Sequence, residues 1–350
     1  MNTVRVDASR SYDIVIGKNL LEQTGKYASM IIKPCRAIII TDDIVDTLYS
    51  DCVKNSLEKS GFKTDKFVFK NGENSKSIQT YSNILEFLAE SKISRSDIIV
   101  ALGGGIVGDV AGFCAATYLR GIEFIQIPST LLAAVDSSVG GKTGINLNAG
   151  KNLAGAFWQP SLVLCDYNTL ETLPDDVFSD GIAEVIKYGV ITSRGLFDLL
   201  SSGEYKNNIE DIITQCVTIK RDIVNKDEFD TGKRQLLNFG HTIGHCIEKL
   251  SNFKISHGHA IAIGMCVISK ASFNAGLCDC DCTKDIEKAL RTNNLPTKCD
   301  FTAEEIFDVA VSDKKRSGDF INIVIPKSIG NCVLHSIEID ELLDFIKLGL

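Results

Sequence analysis

Short apolar runs rich in Ile, Val and Phe recur through the first half of the chain, at 37–40, 66–69, 98–102, 123–127 and 162–165. Between them, residues 43–60 and 77–91 space their apolar side chains three and four apart. A β-branched run of four or five residues between polar or glycine-rich segments reads as a buried strand, and the wider spacing as an amphipathic helix. Strand then helix, repeated, predicts a mainly parallel sheet with helices on both faces. The pattern changes at Pro174. From there to about residue 291 the periodicity is helical, broken near Gly203 and over 251–256. Two short stretches, 320–325 and 331–335, read as a strand pair before a last helix from Ile339. The expected architecture is an α/β N-terminal nucleotide-binding domain over residues 1–173 and a mostly α-helical C-terminal domain over 174–350.

Residues 98–119 are long enough and apolar enough to suggest a membrane span, with Asp109 their single charge. Yet Gly103, Gly104, Gly105, Gly108 and Gly112 fall inside the stretch. A buried Asp and a glycine run suit a turn between strand and helix better than a spanning helix. The 350 residues are 44% apolar and 23% charged with a formal net charge of −8, the composition of a soluble globular protein. That charge argues against a nucleic-acid partner, because binding to a phosphate backbone needs a basic surface. The chain opens on nothing resembling a secretory signal, so the twelve cysteines are expected to be reduced thiols in the cytoplasm. The densest group, Cys278, Cys280 and Cys282, lacks the two-residue spacing of zinc ribbons and redox motifs.

Candidate chemistry concentrates in two places. Four of the five histidines lie between Asn238 and His259. His241 and His245, four apart, project from one helix face, and His257 and His259 follow after a short gap. Glu184 stands upstream in a helical segment. Imidazoles with one carboxylate are the ligand set of a catalytic Zn²⁺ that keeps a position open for substrate. The second concentration handles phosphate. The run 98–102 leads into Gly103-Gly-Gly-Ile-Val-Gly-Asp109, a strand-to-helix turn where backbone N–H groups and the helix dipole can receive a pyrophosphate. Asp42 ends an earlier strand and could take ribose hydroxyls, with the segment Asn71–Lys76 adding contacts. Gly140-Gly-Lys142-Thr143 looks like the end of a P-loop, but Asp136 stands where its first glycine belongs, which excludes a nucleoside triphosphatase. Lys142, Lys151 and Asn152 on flexible backbone instead suit a phosphorylated anion.

Taken together, Gly103-Gly-Gly-Ile-Val-Gly-Asp109, Pro128-Ser-Thr-Leu-Leu-Ala, Asp136-Ser-Ser-Val-Gly-Gly-Lys-Thr143, Gly150-Lys-Asn, Gly181-Ile-Ala-Glu-Val-Ile-Lys187, Leu237-Asn-Phe-Gly-His-Thr-Ile-Gly-His245 and Asp313-Lys-Lys315 resemble the 3-dehydroquinate synthases in order and spacing. The resemblance runs from about Tyr12 to the last helix. It implies a dehydroquinate synthase-like fold and a homodimeric, NAD- and Zn²⁺-dependent lyase, with Co²⁺ a possible metal. The implied place is the shikimate pathway to chorismate and the aromatic amino acids. The implied substrate is 3-deoxy-D-arabino-heptulosonate 7-phosphate, converted to 3-dehydroquinate and phosphate. The route would be transient oxidation, β-elimination, reduction, ring opening and intramolecular aldol closure.

Carried over position by position, the resemblance makes Glu184, His241 and His257 the metal ligands. It moves His245 from the ligand pair suggested by spacing to proton transfer or to the substrate phosphate. Asp136, Lys142, Asn152, Lys187, Lys220, Arg234, Asn238 and one of Lys314 or Lys315 would hold substrate. Arg120 would face the phosphate, across the dimer interface. Lys142, Asn152, Lys187, His245 and Asp230 would also serve catalysis. NAD would contact Asp42, Glu73, Lys76, Gly105, Ile106, Val107, Gly108, Asp109, Ser129, Thr130, Lys142, Lys151, Thr169, Leu170, Glu171 and Thr172. Two departures stand out. His257-Gly-His259 replaces the usual H-G-E, and Asp227-Glu-Phe-Asp230 replaces D-E-x-E. The rival readings are another sugar phosphate cyclase and a metal-dependent polyol dehydrogenase of the glycerol dehydrogenase type.

Overall fold

The computed structural model describes residues 1–314 and 319–350, without the side chains of 206 and 312–314. Lys315 and the side chain of Lys314, two of the expected substrate contacts, therefore lie outside the described residues. The chain divides into two compact units, Met1–Leu173 with Lys220–Phe229, and Pro174–Ile219 with Asp230–Leu350. Periodicity places one break at Pro174; in space, ten residues after Ile219 also return to the first unit.

The first unit is built on a seven-stranded sheet in the order β1-β2-β9-β6-β5-β3-β4. Its strands are β1 (Asn2–Val6), β2 (Tyr12–Gly17), β3 (Arg36–Asp42), β4 (Lys63–Phe69), β5 (Ile98–Gly103), β6 (Glu123–Pro128) and β9 (Leu162–Asp166). All neighbours pair in parallel except β1 with β2. Helices α1 (Thr24–Ile31), α2 (Asp43–Val45), α3 (Asp51–Lys59), α4 (Ile78–Glu90) and α5 (Gly105–Thr117) complete it. Strand β3 shows why the apolar runs are continuous. Ile39 joins one core cluster with Val53 and Leu57 of α3, while Ile38 and Ile40 join another with Ile84 of α4 and Val110 of α5. A sheet covered on both faces needs an apolar residue at every position. A hairpin of β7 (Lys142–Leu147) and β8 (Gly150–Phe157) forms a separate two-stranded sheet.

Strands β1 and β2 and the β7–β8 hairpin are additions to the sequence-based expectation. β1 and β2 are short and carry no intervening helix, and β7 and β8 are rich in Gly, Lys and Asn. Their backbone conformation comes from the pairing itself, which local periodicity does not report. Residues 98–119 form β5, a turn at Gly104 and α5, and no helix among the described residues is long and apolar enough to cross a membrane.

The second unit is mostly helical: α6 (Asp175–Thr192), α7 (Arg194–Ser202), the first part of α8 (Ile209–Val224), α9 (His241–Leu250), α10 (His257–Asn274), α11 (Thr283–Thr292), α12 (Ala303–Lys314) and α13 (Ile339–Gly349). A hairpin of β10 (Phe320–Ser328) and β11 (Asn331–Glu338) joins them. Almost all of α10 from Ala260 to Ser272 is buried, the mark of a central helix with neighbours on all sides. Helix α9 lies unusually close to it. A Cβ on Gly264 would stand 2.1 Å from the Gly240 carbonyl oxygen, and one on Gly244 would meet Ile261 Cδ1 at 2.6 Å and Ala260 O at 3.0 Å. The glycines of Gly240-His-Thr-Ile-Gly244 thus let the two backbones touch and bring the histidine segments together.

Candidate active site

In the second unit, Glu184 sits on the buried face of α6 with 1% of its side chain exposed. Its Oε1 lies 3.5 Å from Nε2 of His241 at the start of α9, and 3.5 Å from Nε2 of His257 at the start of α10. Both rings are held from behind. His241 Nδ1 lies 3.1 Å from the Phe239 carbonyl oxygen, and His257 Nδ1 lies 3.1 Å from Glu248 Oε2. With Nδ1–H donated outward, each ring turns its Nε2 lone pair toward Glu184, the tautomer a metal ligand requires. His245 completes the group: each of the three imidazoles offers a nitrogen within 4.8 Å of the others.

Lone pairs and a carboxylate facing one another repel unless a cation stands between them. Neither Glu184 oxygen takes part in a well-formed hydrogen bond among the described residues, although the Lys187 ammonium lies 2.5 Å from Oε2. Burial disfavours the charged form of His257, but hydrogen bonding and charge from Glu184 and Glu248 outweigh it and push its pKa up to about 10. His241 goes the other way, held well below its usual 6.5 by burial, by Lys187 and by the two neighbouring histidines. A proton on His257 thus does the work that a cation would do better. The separations agree: two ligands about 2.1 Å from a tetrahedral centre stand roughly 3.4 Å apart. The donor set, its outer partners and its spacing fit a divalent metal.

An open pocket of about 600 Å³ adjoins this cluster, lined by Asn238, His241, Thr242 and His245 together with Gln235 and residues of β10. Asn238 is therefore brought to the histidines, and Arg234, 2% exposed, lies in the turn Lys233–Asn238 just before them. Asp230 adopts a left-handed backbone at φ 59°. The unexpected imidazole of His259 has a specific partner: its Nδ1 lies 2.8 Å from Asp180 Oδ1.

In the first unit, β5 runs into α5 through Gly103 and Gly104, where added side chains would collide with Val107 and crowd Thr130. Gly105, Ile106, Val107, Gly108 and Asp109 open α5; the Gly105, Ile106 and Val107 amides precede the first helical hydrogen bond, which Gly108 donates to the Gly104 carbonyl oxygen at 3.1 Å. Gln126 and Ser138 line a recess beside the turn with Gly103, Gly104 and Gly108. Gln126 Oε1, Ser138 Oγ and the nearby Ser129 Oγ are buried without hydrogen-bond partners among the described residues. The two serine hydroxyls, as donors beside a helix N-terminus, suit an anionic ligand such as a pyrophosphate.

Several expected cofactor residues join one network. Lys76 Nζ lies 2.5 Å from Asp109 Oδ2, Glu73 Oε1 accepts from Asn146 Nδ2 at 2.7 Å, and Lys151 Nζ lies 3.3 Å from Glu73. Asn146 Oδ1 in turn accepts from the Asn152 amide at 2.9 Å, near the start of β8, where Asn152 has φ 56°. Burial raises the pKa of Asp109, and Lys76 opposes that rise. Asp42 caps α2, its Oδ1 accepting from Ile44 and Val45 amides at 3.0 Å each. Thr130 Oγ1 accepts from the Ala133 amide at 3.2 Å. Thr169, Leu170, Glu171 and Thr172 form a short turn against Tyr49, whose hydroxyl lies 3.2 Å from the Thr169 carbonyl oxygen. Lys220 is ion-paired with Asp136 and also donates to the Asp136 carbonyl oxygen at 2.6 Å. Lys142 is exposed at the start of β7, and Arg120 is exposed with φ 69°.

Three residues of this chemistry escaped the sequence reading. Glu248 lies seven after His241 and three after His245, on the face that carries both histidines, a spacing that could have marked it. Asp180 lies one turn before Glu184. Glu228 accepts from the Ser9 amide at 2.8 Å and from Gln159 Nε2 at 2.8 Å, contacts that no local pattern announces.

Residues 66–180 match the 3-dehydroquinate synthase N-terminal family model, and residues 181–316 match the 3-dehydroquinate synthase C-terminal model. The chain is 44% identical over 337 residues to the 3-dehydroquinate synthase of Clostridium beijerinckii, covering 95% of this chain and 96% of that protein. It is 42% identical over 345 residues to that of Enterococcus faecalis, covering 97% and 96%. The solved structure of 2-deoxy-scyllo-inosose synthase with carbaglucose-6-phosphate, NAD⁺ and Co²⁺ superposes with a TM-score of 0.89 at 27% identity, over 100% of both chains. The fold is shared with 2-epi-5-epi-valiolone synthase from Streptomyces hygroscopicus with NAD⁺ and Zn²⁺, at a TM-score of 0.89, 23% identity and coverage of 99% and 98%. With family models matched from residue 66 to residue 316 and relatives above 40% identity over nearly its whole length, the chain belongs to the 3-dehydroquinate synthase family.

Proposed function

We infer that the protein converts 3-deoxy-D-arabino-heptulosonate 7-phosphate to 3-dehydroquinate and phosphate. The observation that carries this reading is the buried Glu184 facing Nε2 of both His241 and His257, in a chain whose relatives are 3-dehydroquinate synthases. NAD and a divalent metal, Zn²⁺ or Co²⁺, are the proposed cofactors, supported by the NAD⁺, Zn²⁺ and Co²⁺ bound in the related cyclases. When bound, the dinucleotide supplies a reversible hydride acceptor and the metal a Lewis acid.

The chain's own residues divide the remaining work. Glu184, His241 and His257 would hold the metal, and the Lys187 ammonium pairs with Glu184 Oε2 at 2.5 Å. His245, which lines the pocket with Asn238, is the proposed group that gives and takes protons there. The first turn of α5 would receive the dinucleotide pyrophosphate, with Asp42, Glu73, Lys76 and Lys151 as further contacts. Lys142, Asn152, Lys220, Arg234 and Asn238 are the proposed holders of the substrate carboxylate, hydroxyls and phosphate. Fixed cations and amides of this kind accelerate successive steps by orienting one anionic substrate. Arg120 is assigned to the phosphate of a second copy's substrate, so the proposed assembly is a homodimer.

The test supplies 3-deoxy-D-arabino-heptulosonate 7-phosphate with Zn²⁺ and a trace of NAD⁺, and follows phosphate and NADH together. Phosphate released in many-fold excess over NAD⁺, without lasting NADH, is expected. Turnover of glucose 6-phosphate or sedoheptulose 7-phosphate instead would assign the chain to another cyclase, and NADH accumulating with a simple polyol to a dehydrogenase.

A further inference from the structure

We propose that Asp180, His259 and Ser256 are positioning residues that aim His257 at the metal. One carboxylate oxygen, Asp180 Oδ1, gathers three contacts from the start of α10. Ser256 Oγ donates to it at 2.6 Å, the His259 amide at 3.0 Å and His259 Nδ1 at 2.8 Å. Ser256 is the N-cap residue of α10, but its side chain makes no cap hydrogen bond within its own helix. The capping acceptor comes from α6 instead. His257, the first residue of α10, lies between two of these donors in sequence.

The same contact is locked by backbone. A Cβ on Gly258 would stand 2.3 Å from the Asp180 carbonyl oxygen and 2.4 Å from its Cα, so α10 begins directly against α6. Asp180 and Glu184 are four apart on α6. The helix that provides one proposed metal ligand therefore also anchors the backbone of another. Glu248 fixes the His257 ring about its own axis, while the Asp180 hub fixes where that ring starts. Metal ligands tolerate errors of only about 0.2 Å, so loosening the first turn of α10 should register in the metal affinity.

The hub also depends on donor–acceptor pairing. Every group facing Asp180 Oδ1 in it is a donor, and imidazole at 259 supplies the only ring N–H among them. His259→Asn keeps a donor at nearly the same place, His259→Leu removes it, and His259→Glu sets a second carboxylate against Asp180. Asp180→Asn combined with His259→Glu restores a donor–acceptor pair with the roles exchanged.

The inference rests on the metal-site reading above, and the experiment separates the two. Chelator-stripped full-length protein and these variants are titrated with Co²⁺, read by its visible absorption and by competition with a chelator. The expected order is wild type close to His259→Asn, His259→Leu weaker by roughly 10–100-fold, and His259→Glu weakest. The double variant should recover at least about tenfold over His259→Glu, a coupling seen only between interacting residues. Additive losses in the double variant would overturn the proposal. So would affinities that simply track the denaturation midpoints of the metal-free variants. A wild-type chain that takes up no Co²⁺ would overturn the metal reading and this inference with it. Tight wild-type binding that is unchanged in every variant would overturn this inference alone.

Discussion

The close approach of α9 and α10 is the feature on which the histidine cluster depends, and Gly264→Ala tests it. An added Cβ would meet the Gly240 carbonyl oxygen at 2.1 Å and the Gly244 amide nitrogen at 2.9 Å, both rigid backbone atoms. Ordinary contact begins near 3.4 Å, so the two backbones must part by about 3.4 − 2.1 = 1.3 Å. Overpacking of this kind costs roughly 1–3 kcal/mol, which a folded domain survives. The ligand geometry does not survive it, because 1.3 Å is several times the roughly 0.2 Å that coordination tolerates. Metal affinity should fall at least as far as the roughly 10–100-fold typical of losing an outer partner. Two controls bracket the effect. Gly244→Ala meets the movable Ile261 Cδ1 first and should do less harm. Gly195→Ala, exposed on α7 with nothing within 4 Å, should leave affinity unchanged and add about 0.5 kcal/mol of stability. Metal titration and denaturant unfolding of the chelated protein are the assays. If Gly264→Ala binds metal within twofold of wild type, the reasoning fails.

Other perturbations reach the site through different physics. Glu184→Gln removes the carboxylate that both Nε2 atoms face and should abolish tight metal uptake, whereas Glu248→Gln should weaken it about 10–100-fold; equal losses from the two would contradict their assigned positions. Lys220→Met strips the cation from Asp136 and should cost up to about 3 kcal/mol of stability, recovered in part by adding Asp136→Asn and read from denaturation midpoints. The pH dependence of the metal-free protein follows from His257. Its pKa is raised in the folded state from 6.5 to about 10, so its stabilising effect is complete below about 6.5 and lost as pH rises through 10. The stability difference between wild type and His257→Gln should therefore shrink steadily across that window, and a constant difference would refute the assignment. Over the same range metal affinity should rise with pH, because binding displaces the His257 proton.

Sequence alone determined the class of each half of this protein. Continuous apolar runs such as 37–40 and 98–102 demand a sheet covered on both faces, and the spacing from Pro174 onward demands helices. Both are consequences of local geometry that each residue carries with it. The chemistry of the site was legible for a similar reason: imidazole, carboxylate and glycine have few uses in such patterns. The arrangement of that chemistry was not legible. Spacing pairs His241 with His245, but Glu184, His241 and His257 meet only because Gly240, Gly244 and Gly264 let two helices touch, and the residues that meet are separated by up to 73 positions of chain. The β7–β8 hairpin, the return of Lys220 to Asp136 and the Asp180 hub belong to the same group. Each is a long-range contact whose free energy comes from pairing and burial. No single segment contains it, so only the folded chain decides it.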